Sequence, residues 1–126
     1  MAKELKVLSK AKKLVNHTFD LTNNTKRYPK KIRFTITNRI QEKVIKIVEN
    51  ILRANLYSLK SKREYIKRRT KQKEVIILCK ELLFFIEMSK ERKYINSKSH
   101  RYWSEKVVEI KYMVGAWINA DKKRFK

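Results

Sequence analysis

At 126 residues, 42% hydrophobic and 37% charged, the chain is long enough for one core, too short for two, and too apolar for a disordered tail. Its 34 Lys and Arg against 12 Asp and Glu leave +22, spread along the whole sequence rather than gathered in one tail. Self-repulsion of this size opposes compaction, and a polyanionic partner is the simplest explanation for keeping it.

Nucleic acid fits that partner best, because a phosphate chain lets many Lys and Arg contacts act together through counterion release. An anionic membrane ranks second, and a cationic antimicrobial role is opposed by the near-continuous core pattern. A Lys-rich codon bias would account for part of the excess but not for the scarcity of acids. The start MAKELKVLSKAKKLV lacks the apolar stretch of a signal peptide and no segment approaches 18 apolar residues, so a cytoplasmic protein that does not enter a membrane is expected.

In chain order, Leu5, Leu8, Ala11, Val15, Phe19 and Thr22 recur at steps of three and four and predict a first amphipathic helix over about 4–23. Asn23, Asn24 and Thr25 mark its end. The sole proline, Pro29, is placed to open a second helix, and Ile32, Ile36, Ile40, Val44, Ile47, Val48, Ile51 and Leu52 carry its apolar face over about 29–59. Tyr28 and Phe34 are expected to pack at the corner between these helices.

Ser61 followed by Glu64 is a capping box and starts a third helix over about 62–93, with Val75, Leu78, Cys79, Leu82, Phe85 and Ile86 inward and a stripe that widens at Leu82–Phe85. A fourth helix over about 98–120 carries Trp103, Val107, Ile110, Val114, Trp117 and Ile118, and residues 121–126 read as a basic tail. Gly115, the sole glycine, lies inside that helix, where it costs about 1 kcal/mol against alanine. Close approach of another backbone or a large ring is the expected reason. Four stripes in one domain, residues 1–126, imply an all-α, up-and-down antiparallel four-helix bundle. Ile45, Ile76, Phe84, Tyr112 and Met113 fall off the stripes, which points to self-association.

Little here suits catalysis. Two histidines, His17 and His100, and the single Cys79 give no metal-ligand spacing, and one glycine excludes a Walker loop or a dinucleotide fingerprint. No metal, cofactor or enzymatic activity is expected. A helical RNase using Arg92 and His100 is the rival, weakened by the eight-residue separation across a connection. Cys79, among Ile77, Leu78, Leu82 and Leu83, reads as a buried hydrophobe. The carboxylates read as partners in surface ion pairs.

The basic run Lys60–Lys73 is the main candidate grip, with Lys60, Lys62, Arg63, Lys67, Arg68, Arg69, Lys71 and Lys73 as its phosphate contacts. Lys30 and Lys31 are further candidates, and Lys122, Lys123, Arg124 and Lys126 form a second cluster. Tyrosines 57, 65, 94 and 102 offer stacking surfaces or core edges, and no pattern supports sequence-specific reading.

Two short motifs carry a resemblance that covers about Leu5 to Ala120. Tyr28, Pro29, Lys30, Arg33, Phe34, Ile36, Arg39 and Ile40 form the first, and Glu109, Ile110, Met113, Val114, Gly115, Trp117 and Ile118 the second. Together they resemble Avd, the accessory variability determinant family of diversity-generating retroelements, and its relatives encoded in intervening sequences of 23S ribosomal RNA genes. Ala116 departs from the pattern, standing where relatives often have a second glycine. The resemblance implies a homopentameric, basic four-helix barrel without enzymatic activity. It also implies binding of RNA or DNA and of the retroelement reverse transcriptase in mutagenic retrohoming. Alternatively, an intervening-sequence relative would lack the reverse-transcriptase partner.

Overall fold

The computed structural model describes the backbone of residues 2–125 and the side chains of residues 6–125. The side chains of Lys3 and Leu5, and all of Lys126, lie outside the described residues. Four helices follow one another: α1 (Ala2–Thr22), α2 (Asn38–Leu56), α3 (Lys62–Glu91) and α4 (Ser97–Arg124). Each packs on the next and α4 closes back against α1, so the chain is an all-α, up-and-down four-helix bundle.

In α1 the buried line is Val7, Ala11, Leu14, Thr18 and Thr22, while Leu8, Val15 and Phe19 lie half-buried beside it. The core line is thus displaced by one residue from the expected stripe over most of its length. Polar pairing explains the displacement: the Thr18 hydroxyl accepts the Trp103 indole N–H at 3.0 Å, and the Thr22 hydroxyl donates to the Thr18 carbonyl at 2.7 Å.

Pro29 does not open α2. Its own backbone is extended, at φ −62° and ψ 154°, and it precedes a 3₁₀ turn, Lys30–Ile32. Ile32, at φ −105° and ψ 9°, breaks the path, and a π-helical segment, Arg33–Thr37, follows in which the Asn38 N–H donates to the Arg33 carbonyl. The physical reason lies in the corner itself. The Tyr28 ring is buried against Tyr94 with centroids 5.3 Å apart. Gln41 Nε2 donates to both Thr22 Oγ1 and Asn23 Oδ1, at 3.0 and 2.9 Å, which pins α2 to the end of α1. Tyr28 therefore packs as expected, but Phe34 does not. It is 82% exposed, because it sits two residues from both Ile32 and Ile36, which take the inward direction.

Further on, α2 buries Ile40, Val44, Ile47, Ile51 and Ala54. It stops at Leu56, three residues short of the expected end, where Tyr57 turns to φ −85° and ψ 139°. Half of the capping box forms: Ser61 Oγ accepts from the Glu64 N–H at 3.2 Å. The Glu64 carboxylate reaches past Ser61 to the Ser58 N–H, at 3.0 Å, and so clamps the turn itself.

The core line of α3 runs Tyr65, Arg68, Gln72, Val75, Cys79, Leu82, Ile86 and Ser89. Within Leu82–Phe85 the widening is only partial, since Phe84 is 66% exposed. A Schellman motif ends α3: the Tyr94 N–H donates to the Ser89 carbonyl and the Lys93 N–H to the Lys90 carbonyl, with Lys93 at φ 65° where glycine is usual. Asn96 then caps α4, its Oδ1 accepting from the Ser99 N–H at 2.8 Å. The core line Val114, Trp117, Ile118 and Asp121 carries α4 past Ala120 to Arg124, so Lys122, Lys123 and Arg124 are its last turn rather than a tail. Cations there also complement the helix dipole. Ile76 and Met113 pack against the core, whereas Ile45, Phe84 and Tyr112 remain exposed.

Candidate nucleic-acid interface

The antiparallel topology puts the start of α3, the end of α2 and the end of α4 at one end of the bundle. The Phe125 ring stacks on Tyr65 at 4.2 Å and 9°, which sets Lys122–Arg124 beside the Lys60–Lys73 run. Lys60, Lys62, Arg63, Lys67 and Lys73 are exposed there. Lys67 Nζ lies 5.9 Å from the Tyr57 ring centroid, and the half-buried Arg69 lies 5.2 Å from that of Tyr65. Lys71 is half-buried and pairs with Glu74 at 3.4 Å.

Arg68 is different. It is 6% exposed and its guanidinium makes a bidentate pair with Asp121, Nε to Oδ2 at 2.7 Å and Nη2 to Oδ1 at 3.1 Å. Its Nη1 donates to the Tyr57 carbonyl at 3.0 Å, and its plane covers Trp117 at 5.1 Å. Gln72 Nε2 donates to the same Asp121 Oδ2 at 2.8 Å. The pair therefore locks α3 to α4 and to the α2–α3 turn, and this guanidinium does not face phosphate. A signal for it was available in the sequence: Arg68 and Gln72 continue the α3 core stripe toward its start, and Asp121 continues the α4 stripe toward its end. Antiparallel neighbours bring those two ends together.

Lys30 and Lys31 are also exposed, but at the opposite end, separated from Lys60 by the 19 residues of α2, roughly 28 Å of helix. The candidate residues thus form two surfaces, not one. Arg33 and Arg39 are exposed at that second end, and among the described residues neither has an ion-pair partner. Between the ends, ion pairs cluster along the sides: Lys10–Glu109 at 3.3 Å, Lys43–Glu81 at 3.1 Å and Lys46–Glu42 at 3.8 Å. Cations without an ion-pair partner among the described residues remain along the sides too, Lys12, Lys13, Lys80 and Lys111 among them, so the excess extends over the sides as well as the two ends.

His100 Nε2 meets Glu87 Oε1 at 2.9 Å, and Arg92 Nε donates to the Tyr94 hydroxyl at 3.3 Å. Both RNase candidates thus have local partners of their own. His17 stands edge-on to Tyr102 at 4.9 Å. Burial and then Lys106 hold its pKa below the ordinary imidazole value, against the opposing effect of Asp20. Cys79 is buried, and that burial pushes its thiol up to about 12, well away from a reactive thiolate. Among the described residues Gly115 has no neighbour to explain it: an added Cβ would meet nothing within 4 Å. The expected close approach is therefore absent among the described residues. Among the described residues no group of three or more His, Cys, Asp or Glu is placed to hold a metal ion, and no helix is long and apolar enough to cross a membrane.

A family model described as bAvd-like matches residues 5–120. No curated protein and no solved structure matches the chain.

Proposed function

The chain belongs to the bAvd-like family, and from that premise we propose that it is a basic accessory protein that binds RNA or DNA and docks a retroelement reverse transcriptase during mutagenic retrohoming. Membership gives it a non-enzymatic, Avd-type role. The observation that carries the nucleic-acid part is the +22 together with its exposed groups at the bundle ends: Lys60, Lys62, Arg63, Lys30 and Lys31 are exposed and have no ion-pair partner among the described residues. Exposed Ile45, Phe84 and Tyr112 support assembly of several copies, a homopentamer by the family's pattern, in a cytoplasmic setting.

On this reading the contacts at the α3 start are Lys60, Lys62, Arg63, Lys67, Arg69, Lys71 and Lys73, with Lys30 and Lys31 at the other end. Arg68 is withdrawn from that set because its charge is held by Asp121. The test is co-purification of the reverse transcriptase and template RNA with tagged protein, in wild type and in a Lys67→Gln/Arg69→Gln/Lys73→Gln variant. Loss of RNA with retention of the polymerase is expected. Full retention of RNA by the variant would refute the assignment of these contacts.

A further inference from the structure

The end of the bundle built from the α1–α2 and α3–α4 turns carries a combination that neither the core nor the ion pairs account for. From Leu21 to Gln41 there is no acidic residue, while Lys26, Arg27, Lys30, Lys31, Arg33 and Arg39 supply six cations. None of the six has an ion-pair partner among the described residues. The neighbouring α3–α4 turn, tied to this segment by the Tyr28–Tyr94 ring contact, adds Lys90, Arg92, Lys93, Lys98 and Arg101 against Glu91 alone. In the middle of the acid-free segment, Phe34 is the most exposed large hydrophobic residue of the described chain, at 82%. The π-helical segment in which it sits is a costly local geometry of the kind that recurs at functional sites.

The geometry points to a binding site for single-stranded nucleic acid at this end, with an unpaired base stacked on Phe34 and the flanking phosphates on Lys30, Lys31 and Arg33. It deepens the nucleic-acid reading above and rests on it. A phosphate chain alone would be satisfied by the cations. It is the bare aromatic ring among them that selects a strand whose bases are free, since a duplex keeps its base faces stacked inside. Every base presents a π-face, so the site is tolerant of sequence. The α3 start, roughly 28 Å away along the 19 residues of α2, is a separate surface. One strand can therefore be held at two places.

Fluorescence anisotropy with a 12-nucleotide oligouridylate and a 12-base-pair RNA duplex tests this at one fixed salt concentration. Phe34→Ala is expected to weaken the single strand about tenfold and to leave the duplex within twofold, because stacking is lost and phosphate contacts remain. Lys30→Gln/Lys31→Gln/Arg33→Gln is expected to weaken both. Light scattering on the same samples reads the assembly. The proposal is overturned if Phe34→Ala leaves the single strand unchanged, weakens both ligands equally, or breaks the assembly apart, which would make Phe34 a subunit contact. Wild type that binds neither ligand would overturn the nucleic-acid reading as a whole. Loss confined to Lys67→Gln/Arg69→Gln, with no effect of Phe34→Ala, would overturn this site alone.

Discussion

Replacing Asp121 with alanine removes the carboxylate that accepts two hydrogen bonds from Arg68 and one from Gln72. Asp121 is 1% exposed and Arg68 is buried beside it, so the variant leaves a guanidinium inside the bundle with the Tyr57 carbonyl and the Trp117 face for company. Breaking a buried pair by removing one partner costs about 3–5 kcal/mol, mostly as desolvation of the charge left behind. For a domain whose total stability is about 5–15 kcal/mol, that is a large share. Urea denaturation at fixed protein concentration reads the loss as a shifted midpoint. An Arg68→Met/Gln72→Leu/Asp121→Leu triple variant should recover most of it, since the buried charge is gone together with its partner and no buried amide loses its acceptor. Lys122→Ala, one residue away and exposed, is the control and should move stability by no more than about 0.5 kcal/mol. An Asp121→Ala loss under about 1 kcal/mol would refute the reasoning, because it would mean that Arg68 finds water or another partner without cost.

Three smaller predictions come from single positions. Lys93→Gly should stabilise by about 1 kcal/mol, because Lys93 holds the left-handed Schellman position at φ 65°, and the same denaturation experiment measures it. Gly115→Ala should likewise stabilise the protomer by about 1 kcal/mol, since the new methyl meets nothing within 4 Å among the described residues; destabilisation together with a change of assembly in light scattering would place another chain against that face. The folded-state pKa of His17 is depressed below its unfolded value near 6.5, so the unfolded chain binds the extra proton first. Stability is therefore full above about pH 6.5 and falls as pH drops toward the folded value, and His17→Phe should flatten that slope.

Helical periodicity made the bundle legible because most stripe positions obey local geometry, as Ile40, Val44, Ile47 and Ile51 show in α2. Where side chains from distant elements compete, periodicity alone misleads. Thr18 is drawn inward by Trp103, and this displaces the α1 core line. Tyr28 is held by the α3–α4 turn, and Gln41 by the end of α1, so the path after Pro29 tightens into a 3₁₀ turn and widens into a π segment before α2 begins.

For the candidate interface, the identity of the basic residues was legible but their grouping was not. A linear run placed Arg68 with Lys67 and Arg69, yet a helix sends neighbours in different directions, and Arg68 falls on the inward one. The same connectivity puts Lys30 and Lys31 at the end away from Lys60, and joins them instead to the cations of the α3–α4 turn. Gly115 shows the converse: its helical setting was evident, but the absence of a neighbour among the described residues was visible only in three dimensions.

The most direct test of the account is the salt dependence of single-stranded RNA binding by the wild-type protein. A strand held by about six phosphate contacts should give a slope of log K against log salt near −4. A slope near zero would contradict the claim that the unpaired Lys and Arg at the bundle ends are what holds nucleic acid.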